Sequence, residues 1–132
     1  MKYMYIILLA SLLISCGGEK EDSILTLTIL AQPSGGLNVT SVNCLYDAHL
    51  TQGSDPIEIA VEWWWEDAFG MNDQCVTRTF YDIDNTSSET YTTSYAALPG
   101  YILTNYYWVE FKWQNADGSF GWIVSQKAFC SY

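Results

Sequence analysis

The chain has 132 residues, with five Lys and Arg against fifteen Asp and Glu and a formal net charge of −10. That length suits one domain with a single core. The charge excludes nucleic acid and charge-driven adhesion to anionic lipid, because no basic patch is present to displace counterions from phosphates. Six Trp, ten Tyr and five Phe supply large apolar area per residue, and Tyr and Trp also suit binding surfaces.

In chain order, Lys2 precedes an apolar run over residues 3–14, in which Ser11 is the one polar side chain besides the two tyrosines. Small residues follow at Ser15-Cys16-Gly17-Gly18. A charged start, a short apolar core and small residues at the cut describe a secretory signal peptide over residues 1–15. The run is too short for a mature spanning helix, which needs about 20 residues. Leu13-Ile14-Ser15-Cys16 resembles the lipobox of bacterial lipoproteins. The resemblance implies cleavage before Cys16, acylation of that cysteine with palmitate among the chains, and a membrane reached through the lipid anchor. An ordinary signal peptide, with Cys16 pairing to another cysteine, is the alternative.

Residues 16–23 then read as the lipidated cysteine and an acidic tether, polar and flexible. Gly17 stands where retention signals of lipoproteins often carry Asp, so the resemblance implies the outer membrane. Glu19, Glu21 and Asp22 resemble the surface-export signal of Bacteroidota lipoproteins, and Asp22-Ser23-Ile24 resembles the O-glycosylation sequon of that phylum. Exposure at the cell surface is the implied destination.

From residue 24 the apolar period is two, the signature of strands. Leu25, Leu27 and Ile29 alternate with Thr26 and Thr28, and Pro33-Ser34-Gly35-Gly36 ends that run as a turn. A second strand is predicted over 39–46, a polar loop over 51–56, and a third strand over 57–66. In the third, Ile57, Ile59, Val61, Trp63 and Trp65 share one face, with Glu58, Ala60, Glu62, Trp64 and Glu66 on the other. Residues 67–74 read as a loop, 75–83 as a strand, 84–88 as a turn and 90–95 as a strand ended by Leu98-Pro99-Gly100. A strand over 106–113, a hairpin turn at Asn115-Ala116-Asp117-Gly118 and a closing strand over 120–129 complete the domain, residues 24–132.

Seven strands with one apolar and one polar face, closely spaced and without a helix, predict an all-β, seven-strand antiparallel sandwich. Strand count, a Trp-bearing third strand and a long final hairpin make it resemble the immunoglobulin-like and fibronectin type III class. The antibody-type pairing of second- and sixth-strand cysteines is missing, since the sixth strand carries none. A small barrel is the alternative.

With Cys16 acylated, Cys44, Cys75 and Cys130 remain, enough for one disulfide in any of three connectivities. Export to an oxidising compartment favours one bridge. Their spacing contains no Cys-x-x-Cys pair, and no metal or other cofactor is expected.

In an immunoglobulin-like sandwich the third and sixth strands are sheet neighbours. That placement brings the outward Trp64, Tyr106 and Trp108 together, rimmed by Glu62, Glu66, Glu110 and Lys112, with Trp122 or Ile123 as a further member. Such a face suits a protein partner, because interface centres favour Tyr and Trp. It equally suits a carbohydrate, whose faces stack on rings while acids accept hydroxyl hydrogen bonds. Rings that merely pair across strands would stabilise the sheet and bind nothing. Asp82-Ile83-Asp84-Asn85 with Ser87, Ser88 and Glu89 could offer oxygens to calcium but lacks EF-hand spacing, and Asp67 with Asp73 on the other long loop is a second candidate. Catalysis is not expected: His49 is the single histidine, no nucleophile elbow or His-Glu-x-x-His motif occurs, and a glycosidase would need two acids across a cleft. The expected role is a non-catalytic envelope protein that binds an unknown protein or, alternatively, a glycan.

Overall fold

A computed structural model describes residues 20–82, 84–92 and 104–131. Cys16, most of the tether, Ile83 and the Leu98-Pro99-Gly100 break lie outside the described residues. These residues form nine strands and no helix: β1 (Ile24–Ala31), β2 (Gly36–Leu37), β3 (Ser41–Gln52), β4 (Ile57–Asp67), β5 (Asn72–Asp82), β6 (Asp84–Thr92), β7 (Thr104–Gln114), β8 (Phe120–Val124) and β9 (Ala128–Ser131). One sheet has the order β1-β3-β6. The other has six strands in the order β2-β9-β7-β4-β5, with β8 on the same side of β7 as β9.

The alternation read from the sequence is the alternation of burial. Ile57, Ile59, Val61 and Trp63 of β4 and Tyr107, Val109 and Phe111 of β7 face Leu25, Leu27, Val42, Cys44, Tyr46 and Ala48 of the smaller sheet in one core. Each large side chain so buried contributes about 1.5–3 kcal/mol. Aromatic contacts join the layers: Tyr46 meets Phe111 with ring centroids 4.8 Å apart, and Tyr91 lies between Trp63, at 6.0 Å, and Tyr107, at 5.6 Å.

The all-β expectation holds, but the strand count rises from seven to nine and the pairing is not wholly antiparallel. Gly36–Leu37, within and just past the expected turn, runs parallel to Cys130–Ser131, and Asn38 N–H closes the pair on Ser131 O at 2.7 Å. Residues 84–88, expected as a turn, continue the ladder to β3, where the Thr86 hydroxyl donates to Asp47 at 2.9 Å. The closing strand divides at Ser125. There Val109 N–H donates to the Ser125 hydroxyl at 3.0 Å instead of a backbone carbonyl, which ends β8 and offsets β9.

Among the described residues the expected disulfide is not formed: Cys44, Cys75 and Cys130 are not bridged to one another. Topology explains this. Cys130 on β9 and Cys75 on β5 are separated by β7 and β4, about 14 Å at the usual strand spacing. Cys44 lies in the opposite sheet, about 10 Å away at ordinary sheet packing. A bridge needs Cα atoms within about 7 Å. Burial instead pushes the Cys44 thiol up to about 11.

Ser23, read as tether, is fixed in the domain. It is buried, and its hydroxyl accepts Asp55 N–H at 2.8 Å. A sugar on that oxygen would have to displace this contact.

Candidate functional site

The outer face of the six-stranded sheet gathers the residues singled out in the sequence. β4 and β7 are antiparallel neighbours, and their register sets Glu62 opposite Glu110, Trp64 opposite Trp108 and Glu66 opposite Tyr106. Trp64 and Trp108 stack with centroids 6.2 Å apart and planes 10° from parallel. A bulge in β5 leaves Cys75 without a cross-strand partner between Val76, opposite Trp63, and Gln74, opposite Trp64.

The acids do not stand free around these rings. Lys112 donates to Glu62 at 2.6 Å and lies 3.3 Å from Glu110. The Glu62 hydrogen bond outweighs burial, which acts in the opposite direction, and raises the pKa of that ammonium above the usual lysine range. Glu110 also accepts two of the three outward indole N–H groups, Trp108 at 3.2 Å and Trp122 at 3.3 Å. Lys127 bonds Glu66 and rests 4.6 Å from the centroid of the Trp108 ring. Two carboxylates holding one lysine across adjacent strands form a clamp, not a glycosidase pair with room for substrate between them.

Trp64 and Trp108 are half-buried, and the more accessible apolar side chains of this sheet face are others. Phe120 is 79% exposed and Trp122 67%, followed by Phe129 at 47%, Val124 at 40% and Tyr106 at 38%. Trp122 takes the outward position in the final hairpin, and Ile123 packs on the core. Phe120, Trp122 and Val124 alternate along β8, while Phe129 faces Tyr106 across β9 and β7. The sequence reading missed Phe120 and Phe129. The signal was available in Phe120-Gly121-Trp122-Ile123-Val124, once Ser125 is recognised as a strand break.

Beside this row lies a groove of about 720 Å³, with Ala60 and Gly121 at its small-residue positions and Glu58, Lys112, Gln114, Phe120 and Trp122 around them. Gly121 is required there: a Cβ at this position would lie 1.9 Å from the Trp113 indole, which packs across it. The hairpin that presents β8 closes as expected, with Gly118 at φ 86° and its N–H on Asn115 O at 3.0 Å. Asp117 caps the turn through Ser119, whose hydroxyl and N–H hold the Asp117 carboxyl below its ordinary pKa.

The remaining candidates fall elsewhere. His49 lies on β3 with Nδ1 3.4 Å from Asp47. Asp67 accepts Phe69 and Met71 N–H, each at 2.9 Å, and Asp73 accepts Gln74 N–H, so both organise local backbone. Among the described residues no group of three His, Cys, Asp or Glu side chains could hold a metal.

No protein-family model matches the chain, and no curated protein matches it. Among solved structures, a Bordetella pertussis protein provisionally described as ApaA is similar at 15% identity and a TM-score of 0.37, over 81% of this chain and 92% of that one. A likeness that distant says nothing about the site.

Proposed function

We propose that this is a non-catalytic binding protein of the bacterial cell envelope. It is lipid-anchored through Cys16 at the outer membrane, and its immunoglobulin-like domain binds a protein partner through the outer face of the six-stranded sheet. The observation that carries the reading is the exposed row Phe120, Trp122, Val124, Phe129 and Tyr106 on one face. Contiguous apolar surface of this kind marks interaction sites, and Trp and Tyr dominate binding energy at interface centres. The order β1-β3-β6 against β9-β7-β4-β5, with a divided last strand, supports the immunoglobulin-like assignment. The lipobox-like Leu13-Ile14-Ser15-Cys16 supports the anchor.

A second reading has its own observation. The groove beside Trp122 combines two exposed rings with Glu58, Lys112 and Gln114, a chemistry suited to a short glycan. One experiment separates the two. A photo-crosslinking side chain replaces Phe120 in cells, or Thr28 on the opposite sheet as control, and the purified chain is screened in parallel on a glycan array. Protein adducts from position 120 but not position 28, with an empty array, support protein binding. Array binding lost in Trp122→Ala, without adducts, transfers the function to glycan capture. Neither signal from a folded chain rejects both.

A further inference from the structure

The Trp108 ring already holds a cation. The Lys127 ammonium lies 4.6 Å from the ring centroid and bonds the Glu66 carboxylate. Ring and carboxylate come from adjacent strands, since the register of β4 and β7 sets Trp64 opposite Trp108 and Glu66 opposite Tyr106. This seat is fixed before anything enters it. Trp108 donates its indole N–H to Glu110 at 3.2 Å and stacks on Trp64 with planes 10° from parallel, and both contacts hold its ring in place. The exposed rings of Tyr106 and Phe129, paired across β7 and β9, border it with further apolar surface.

Lys127 is the less firmly held of the two lysines on this face. Lys112 is shared by two carboxylates, at 2.6 and 3.3 Å. Lys127 has one carboxylate, its side chain is 49% exposed, and it stands in the connection between β8 and β9, outside both strands. Its side chain can therefore leave the seat without breaking a ladder hydrogen bond, and a half-exposed pair of this kind adds little to stability. Among the described residues it donates to Oε2 of Glu66, and no donor reaches Oε1. An ammonium is a point charge that neither covers a ring nor forks to two oxygens. A guanidinium does both, because its plane stacks on an indole and its paired N–H groups match a carboxylate.

Resting on the protein-binding reading and deepening it, we propose that Lys127 is a displaceable plug, and that the seat of Trp108 and Glu66 receives an arginine side chain of the partner. The guanidinium lies flat on Trp108 and forks to Glu66 while Lys127 swings into solvent. Charge favours the exchange. The chain carries −10, and on this face Glu58, Glu62, Glu66 and Glu110 outnumber Lys112 and Lys127. A basic partner is drawn to such a surface. Arginine among aromatic rings is also the residue type that dominates binding energy at interface centres.

The test titrates the purified full-length chain with N-acetyl-arginine amide and follows the Trp108 indole N–H by NMR, assigned through its loss in Trp108→Phe. N-acetyl-lysine amide, the neutral N-acetyl-citrulline amide and tetramethylammonium are titrated in parallel. The arginine amide should bind more tightly than the lysine amide, and the citrulline amide should not bind. Lys127→Gln removes the resident cation and should tighten arginine binding about tenfold. Glu66→Gln should weaken it about tenfold or more, as loss of a hydrogen bond to a charged group does. Lys127→Arg fills the seat with the favoured group, so added arginine should bind less well than to wild type, and this variant decides should Lys127→Gln misfold. Unchanged affinity in Lys127→Gln, or equal binding of the citrulline amide, overturns the proposal, as does the absence of any shift. Tighter binding of tetramethylammonium than of the arginine amide replaces arginine with a quaternary ammonium ligand. Crosslinking from position 120 that persists while the arginine series fails keeps the protein-binding reading and rejects this anchor. Arginine binding without crosslinking keeps the guanidinium seat and overturns its assignment to a protein partner.

Discussion

The two sheets cover one core and present opposite chemistry to solvent. Outside β1, β3 and β6 the residues are Thr26, Thr28, Asn43, Asp47, Thr86 and Thr90, joined by short polar pairs such as Thr90 to Asn43 at 3.0 Å. Outside β7, β4 and β8 they are Trp64, Trp108, Trp122, Phe120 and Tyr106 among acids and lysines. Threonine and aspartate show that this fold needs no aromatic on a solvated face. β-Branched hydroxyl residues satisfy strand geometry and water together. This contrast between the two faces is the physical basis for proposing recognition on the aromatic one.

The sharpest break in the comparison lies within one tripeptide. Trp63→Ala should destabilise by about 3–5 kcal/mol, because it empties a fully packed core position. Trp64→Ala, on the clamped outer face, should cost far less, and urea denaturation midpoints of the two variants measure the difference. Equal midpoints would erase the distinction between inner and outer faces. Gly121→Ala should cost about 1–3 kcal/mol by overpacking against Trp113. It should also weaken any ligand held by β8, whereas Trp122→Ala should weaken the ligand and leave the midpoint nearly unchanged.

A double-mutant cycle on Trp64 and Trp108 should return a coupling of about 0.5–1.5 kcal/mol for the stacked pair. On the polar sheet, Thr90→Val should stay within about 0.5 kcal/mol of wild type. A larger loss there would mean that the hydroxyl ladder is structurally as demanding as the aromatic one. Finally, the thiols sharpen the contrast between core and edge. Burial raises the Cys44 pKa from 9.0 to about 11. The unfolded chain therefore releases this proton first, and the contribution of the neutral buried thiol to stability should be lost as pH rises between those values. Below pH 9 the group should add no slope. Alkylation of the native chain at neutral pH should reach half-buried Cys75 before Cys44 or Cys130, as peptide mass mapping would show.

Much of this was legible in the chain itself. Period two from residue 24 onward determined strands and assigned Ile59, Val61 and Trp63 inward, because alternate side chains of a strand must point to opposite faces. Asp117-Gly118 determined the last hairpin, because glycine adopts the positive φ that the turn requires. The juxtaposition of Trp64 with Trp108 follows from the third and sixth predicted strands being sheet neighbours. Tertiary structure alone decided the rest. That the Ser125 hydroxyl replaces a ladder acceptor and divides the final strand depends on where β7 lies, which no local pattern encodes. Lys127 reaches Glu66 across 61 residues of sequence, and rests by the Trp108 ring, for the same reason. The separation of the three thiols and the clamp of Glu62 and Glu110 on Lys112 both arise from strand order. Side-chain alternation is a property of neighbouring residues, but adjacency between strands is settled only when every strand competes for a place in the sheets.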